Sequence, residues 1–239
     1  MTIQTRSILY THEGHTFEGV LAWNDAQSGA RPAVAVAHAW AGRTDFELGK
    51  ARALAELGYV GFAMDVYGQG KRGHSKEENA ALMTPLVQNR PLLQARLGAA
   101  LQALQAQPEV DAARTAAIGF CFGGLSVLDM ARCGLPVRGV VSFHGLFTPP
   151  GNTAGRRISA KVLALHGWDD PMAPPDAVLA FAREMSEAGA DWQLHAYGGT
   201  LHAFTNPEAN DPDFGTVYSA RADARSWAAM RAFLAEVLA

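Results

Sequence analysis

The feature that most constrains this chain is its alternation of short apolar runs with helix-length stretches. Residues 32–38, Pro-Ala-Val-Ala-Val-Ala-His, are an unbroken apolar run, the pattern of a strand covered on both faces of a parallel sheet. Comparable strands are expected at 59–65, 115–120, 137–143, 161–166 and 192–197, the last of the set. Helices are expected between them at 45–57, stopped by Gly58, and at 123–133 and 175–188. A helical stretch over about 77–107 should be broken at Pro85 and near Pro91, leaving an amphipathic helix over 94–107. Two earlier strands, 2–10 and 16–23, should pair antiparallel around Glu13-Gly14. A loop over roughly 198–215 and a terminal helix over 217–238 complete the reading. Strands alternating with helices predict an α/β fold, a mostly parallel open sheet with helices on both faces. No repeat or linker divides the chain, so one domain over 1–239 is expected.

Composition removes several function classes. A net charge of −3 without basic blocks or acidic tails argues against nucleic acid and anionic membranes as partners. No apolar run approaches the length of a membrane span, and the first residues lack a secretory pattern. The two cysteines, Cys121 and Cys133, sit at opposite ends of one expected helix, about 18 Å apart at a rise of about 1.5 Å per residue. They cannot pair, and reduced thiols point to the cytoplasm.

The chemistry concentrates in Gly119-Phe120-Cys121-Phe122-Gly123-Gly124, a G-x-C-x-G run between a strand and a helix start. A strand turning directly into a helix strains the residue at its tip and leaves room only for glycine two positions either side. This is the nucleophile-elbow pattern with cysteine in place of serine. The tip presents its sulfur, and the Phe122 N–H points into the same space as one donor of an oxyanion hole. A bland rival, a buried apolar thiol, does not explain the flanking glycines.

A thiol nucleophile needs a base, and the base an orienting carboxylate. In an open α/β sheet these come from loops at the carboxyl ends of strands. Past 161–166 lie Asp169 and Asp170, either of which could serve, and past 192–197 lies His202. The order Cys…Asp…His is that of α/β-hydrolases. His38, His166 and His195 are rival histidines, the last two better read as structural. The second oxyanion donor should come from the loop after 32–38, through the Trp40 N–H.

These pieces, with Asp65-Val66-Tyr67-Gly68, the Gly167-x-x-Asp170-x-x-x-Pro174 segment and Gly199-x-x-His202-x-Phe204, resemble the dienelactone hydrolase family of α/β-hydrolases over nearly the whole chain. The resemblance implies the α/β-hydrolase fold, Cys121 as nucleophile, His202 as base and Asp170 rather than Asp169 as orienter, with Asp169 left as a solvated or capping residue. It also exposes departures. The family carries a glutamate where this chain has Ala39, and an arginine four residues after the histidine where this chain has Asn206. Arg90 is the stand-in for another family arginine. Without the glutamate, a resting thiolate–imidazolium pair is expected; without the arginine, an anionic substrate loses a bidentate anchor. Trp40, Tyr67, Trp168 and Phe204 are expected near the site mouth, favouring an apolar or aromatic acyl or leaving group.

The substrate expected is therefore a neutral or weakly anionic activated ester or lactone, with an organophosphate triester as the alternative for the same thiolate. No cofactor or metal is expected, since neither H-E-x-x-H nor H-x-x-E-H occurs. Gly68-Gln69-Gly70-Lys71-Arg72-Gly73 matches G-x-G-x-x-G, but no acidic residue follows at the distance a dinucleotide site requires, and it reads as a turn over the pocket with Lys71 and Arg72 in solvent. A non-catalytic binding protein on a hydrolase scaffold is the rival from another class. A redox sensor is disfavoured because Cys133 is too distant to act as resolving partner.

Overall fold

A computed structural model describes residues 2–239, which cluster into two compact units, one through Ala117 and the other Ile118–Ala239.

In the first unit, β1 (Ile3–His12) and β2 (His15–Asn24) form an antiparallel hairpin closed at His12↔His15. The closing residues, Glu13 and Gly14, both have positive φ (48° and 76°), the geometry whose twist matches the flanking strands. β2 pairs antiparallel with β4 (Val60–Ala63), and β4 pairs parallel with β3 (Arg31–Ala37). The strand order is β1-β2-β4-β3, followed by β5 (Val110–Phe120), whose last residues belong to the second unit.

Helix α1 (Asp45–Glu56) opens with a capping box: Thr44 accepts from the Phe46 N–H, and Glu47 reaches back to the Thr44 N–H. It ends at Leu57, and Gly58 takes φ +95°. α1 lies directly on β4, since a Cβ at Gly61 would fall 2.2 Å from the Ala51 carbonyl oxygen.

The stretch expected to break at Pro85 does not. α2 (Lys76–Gln88) runs through Pro85, and the break comes at Asn89, which ends α2 and caps α3 (Arg90–Gln105) by accepting from the Leu92 N–H. Pro85 stands within the last turn of α2, while Pro91 sits in the first turn of α3, where a missing N–H costs nothing.

The G-x-G-x-x-G turn after β4 is organised from within. The buried Asp65 carboxylate accepts the N–H groups of Tyr67 and Gly68 at 2.9 Å each, Gly70 at 3.0 Å and Glu18 at 3.1 Å. Lys71 and Arg72 are exposed.

In the second unit the end of β5 is followed by β6 (Gly139–Phe143), β7 (Lys161–Gly167) and β8 (Trp192–Tyr197) in that order, with β6, β7 and β8 parallel. Val140, Val141, Phe143, Leu163 and Leu165 form the buried sheet interior. Helices α4 (Phe122–Arg132) and α5 (Pro175–Glu187) follow their strands as expected. The 198–215 segment holds two short strands that were not anticipated, β9 (Asn210–Asp211) and β10 (Thr216–Val217). They push the start of the last helix, α6 (Ala220–Val237), back to a Ser219 cap rather than residue 217.

Candidate active site

β5 passes into α4 through a single residue, Cys121, at φ 56° and ψ −115°. The glycines around it are sterically required. A Cβ at Gly119 would stand 2.0 Å from the Gly123 carbonyl oxygen, and one at Gly124 would meet Gly145 Cα at 2.7 Å. No side chain caps α4, so the thiol is held off the helix end rather than spent on it. The Cys121 N–H is shared between the Phe143 carbonyl at 3.0 Å and His144 Nδ1 at 3.1 Å. At its far end α4 is tied down by the buried Arg132, which donates to both Glu184 carboxylate oxygens (2.8 and 2.6 Å) and to the Phe147 carbonyl (2.8 Å).

Asp170 lies just past β7 and is buried; Asp169 beside it is exposed, which separates two residues the local sequence left equivalent. His202 Nδ1–H donates to Asp170 Oδ2 at 2.7 Å, and the second carboxylate oxygen accepts the Met172 N–H at 2.8 Å. The short β9–β10 pair has a positional role: the His202 N–H donates to Gly215 O at 2.9 Å, and the Val217 N–H to His202 O at 3.1 Å. The chain before His202 presses against β7 so closely that a Cβ at Gly167 would fall 2.5 Å from Thr200 O.

Burial opposes a charge on His202, but Cys121 and Asp170 together outweigh it, and the ring's pKa is pushed up to about 10. Nε2 of His202, the ring nitrogen that Asp170 does not hold, is buried, and Cys121 raises the ring's pKa both as a nearby charge and through a side-chain hydrogen bond. A thiol, an imidazole and a carboxylate in this order can carry out nucleophilic acyl transfer.

The remaining expected residues divide. Trp168 is exposed (43%), as a mouth residue would be. Phe204 is not at a mouth: it is fully buried, edge-on to His144 and Tyr197 with ring centroids 5.1 and 5.6 Å away. Apolar and two residues past a buried histidine, it turns inward rather than toward solvent. Asn206 closes a turn, accepting the Glu208 N–H at 3.1 Å while its own N–H donates to Ala203 O at 2.9 Å.

Ala39, Trp40, Tyr67 and Arg90 belong to the first unit. There the Ala39 N–H donates to Glu47 Oε1 at 3.1 Å, the Tyr67 hydroxyl donates to Trp40 O at 2.9 Å, and Arg90 is buried. A carboxylate does therefore reach the Ala39 loop, but it is the capping-box glutamate of α1.

Of the rival histidines, His38 bonds the Ala39 carbonyl through Nδ1 and accepts the Val66 N–H at Nε2, with its pKa lowered by burial. His195 is exposed on β8. His166 is buried and its pKa is likewise lowered, chiefly by burial. The residue that sequence reasoning missed is His144. The signal was present: Phe143-His144-Gly145 follows an expected strand at the end where the elbow was placed.

The dienelactone hydrolase family model matches residues 17–238. A solved structure of a dienelactone hydrolase-like promiscuous phosphotriesterase from metagenomic libraries superposes with a TM-score of 0.94 and 36% identity, covering 100% of both chains. An uncharacterized protein of Caenorhabditis elegans is 39% identical over 150 residues, 62% of this chain and 95% of that one. A probable 2-oxo-3-(5-oxofuran-2-ylidene)propanoate lactonase of Bradyrhizobium sp. is 26% identical over 216 residues, 85% of this chain and 86% of the relative.

Proposed function

The chain belongs to the dienelactone hydrolase family, with its α/β-hydrolase fold and hydrolase chemistry, and we propose that it cleaves activated esters or lactones through a thiol ester on Cys121. The observation that carries this reading is the strained Cys121 elbow in the same unit as a buried His202–Asp170 pair whose imidazole favours its protonated form.

His202 holds the proton of the Cys121 thiol, and the thiolate attacks the substrate carbonyl carbon. The oxyanion that develops takes the Phe122 N–H and, on the sequence expectation, the Trp40 N–H. Collapse of the tetrahedral intermediate breaks the ester C–O bond, and His202 protonates the departing oxygen. In a lactone that oxygen remains attached to the acyl chain. Water, deprotonated by His202, then attacks the thiol ester and expels the Cys121 thiolate. Asp170 keeps Nδ1–H fixed throughout, so Nε2 is the nitrogen that exchanges protons.

Lactone chemistry is supported by the Bradyrhizobium relative's name. Asn206, committed to a turn where the family carries arginine, supports neutral or weakly anionic substrates. A second reading is supported by the 36% identical phosphotriesterase: the same thiolate would attack the phosphorus of a neutral organophosphate triester and expel one alkoxide or aryloxide, protonated by His202, before water releases the phosphodiester from sulfur. We take the whole of 1–239 as one functional domain and place it in the cytoplasm, on the free Cys121 and Cys133. Among the described residues, no helix is long and apolar enough to cross a membrane.

Cys121→Ala should lower kcat toward a neutral aryl ester by about 10⁴-fold, and Cys121→Ser should also be impaired. Undiminished activity in either overturns the thiol mechanism. Comparable kcat/KM for a neutral aryl ester and a carboxylate-bearing lactone supports the substrate class; a strong preference for the latter refutes it. Repeated turnover of a neutral phosphotriester, rather than one-shot inactivation, establishes the second reading.

A further inference from the structure

We propose that His144 is a positioning residue for the thiol site: its neutral ring, carrying its proton on Nε2, fixes the Cys121 backbone on one side and braces the His202 ring on the other. The proposal rests on the reading of Cys121 as nucleophile and extends it to a residue outside the triad.

His144 directly follows β6 and has φ +38°, a left-handed conformation for a residue with a side chain, while its N–H donates to Leu165 O at 2.8 Å. The ring is buried. Nδ1 takes the Cys121 N–H at 3.1 Å, and a ring nitrogen that accepts carries no proton. The ring's single proton is then on Nε2, which donates to the buried Thr205 Oγ1 at 2.8 Å. Thr205 thus selects the tautomer that leaves Nδ1 free to accept.

The same ring meets His202 edge-on, with centroids 5.1 Å apart and planes 65° apart, and Phe204 closes it from another side at 5.1 Å. His144 therefore touches the residue presenting the nucleophile and the residue serving as base. Being neutral, it puts no second positive charge against the His202 imidazolium. A hydrocarbon of similar size would fill the space but leave the Cys121 N–H without this acceptor.

The test uses His144→Asn, His144→Leu and Thr205→Val in the full chain. Asn suits a positive φ and places an acceptor oxygen near the position of Nδ1. Leu offers no acceptor, and Thr205→Val leaves His144 and the triad in place while removing the group that selects the tautomer. The readouts are kcat and KM for a neutral aryl ester, the rate at which iodoacetamide alkylates the Cys121 peptide, and the melting temperature. We expect His144→Leu and Thr205→Val to lower kcat about tenfold or more with KM changed less than about twofold, and to slow alkylation, with His144→Asn restoring most of both. Wild-type kcat in His144→Leu or in Thr205→Val overturns the proposal. So does His144→Asn as impaired as His144→Leu, or a loss that follows the melting temperature while alkylation is unchanged. If His144→Leu does not fold, Thr205→Val decides alone. Substantial turnover by Cys121→Ala defeats the nucleophile reading and this role with it; an inactive Cys121→Ala beside an unimpaired His144→Leu defeats only the role of His144.

Discussion

Two glycine-rich turns leave the ends of β4 and β5, and they use similar residues to opposite effect. In the turn after β4, Asp65 folds its carboxylate back and takes the N–H groups of Tyr67, Gly68 and Gly70. The amides that a phosphate would need are already held by the protein's own anion, so the G-x-G-x-x-G spelling carries no dinucleotide site. In the turn after β5, the strand-end residue is Cys121, whose side chain does not cap the helix behind it. Glycine spacing sets the shape of a strand-end turn, while the residue at its tip decides whether the turn closes on itself, as at Asp65, or leaves its side chain uncommitted to the turn, as at Cys121.

The largest way to break this contrast is Gly119→Ala. Its Cβ would stand 2.0 Å from the Gly123 carbonyl oxygen, backbone against backbone, so the turn must open. Turnover of a neutral aryl ester should fall by about 10²-fold or more, and a variant retaining most activity would show that the elbow does not need its glycine. Asp65→Ala should do the reverse. Losing one acceptor shared by several buried amides should cost about 3 kcal/mol in urea unfolding, while Cys121 in the folded fraction keeps its alkylation rate. A smaller effect separates the turns by charge. Since the His202 pKa is raised to about 10, its ring should stay protonated from neutral pH upward and lose its proton only as pH rises through about 10, as read by ring-nitrogen NMR. Cys121→Ala removes the largest contribution raising it, so the titration should move to lower pH. A wild-type ring titrating near its ordinary value would mean that Cys121 places no negative charge beside His202.

Much of this was legible in the sequence because the signals were local. The elbow glycines sit at offsets that sterics dictate, Glu13-Gly14 spelled its own hairpin turn, and Asp170 and His202 each stand just past an apolar run. Four features escaped for physical reasons. Pro85 looked like a break, but α2 runs past it by only one short turn to Gln88, tolerating the single N–H bond that proline cannot make. β9 and β10 are two residues each, too short for any period to show. His144 acts through Cys121 and Thr205, residues 23 and 61 positions away, and no spacing rule reaches that far. Phe204 is expected at the mouth because it lies in the 198–215 loop, whereas it is buried beside the equally buried His202.

The Arg132 fork at the far end of the elbow helix has a consequence for solution conditions. Lys161 pairs with Asp191 and Glu236 at the surface, with all three side chains well exposed, so dissolved ions weaken those pairs. Arg132 and Asp129 are almost wholly shielded from solvent, and Glu184 largely so. Dissolved ions cannot readily come between them. Raising ionic strength should therefore loosen the periphery of the molecule long before it disturbs the helix that follows Cys121, so ester turnover should tolerate brine better than the surface ion pairs alone would suggest.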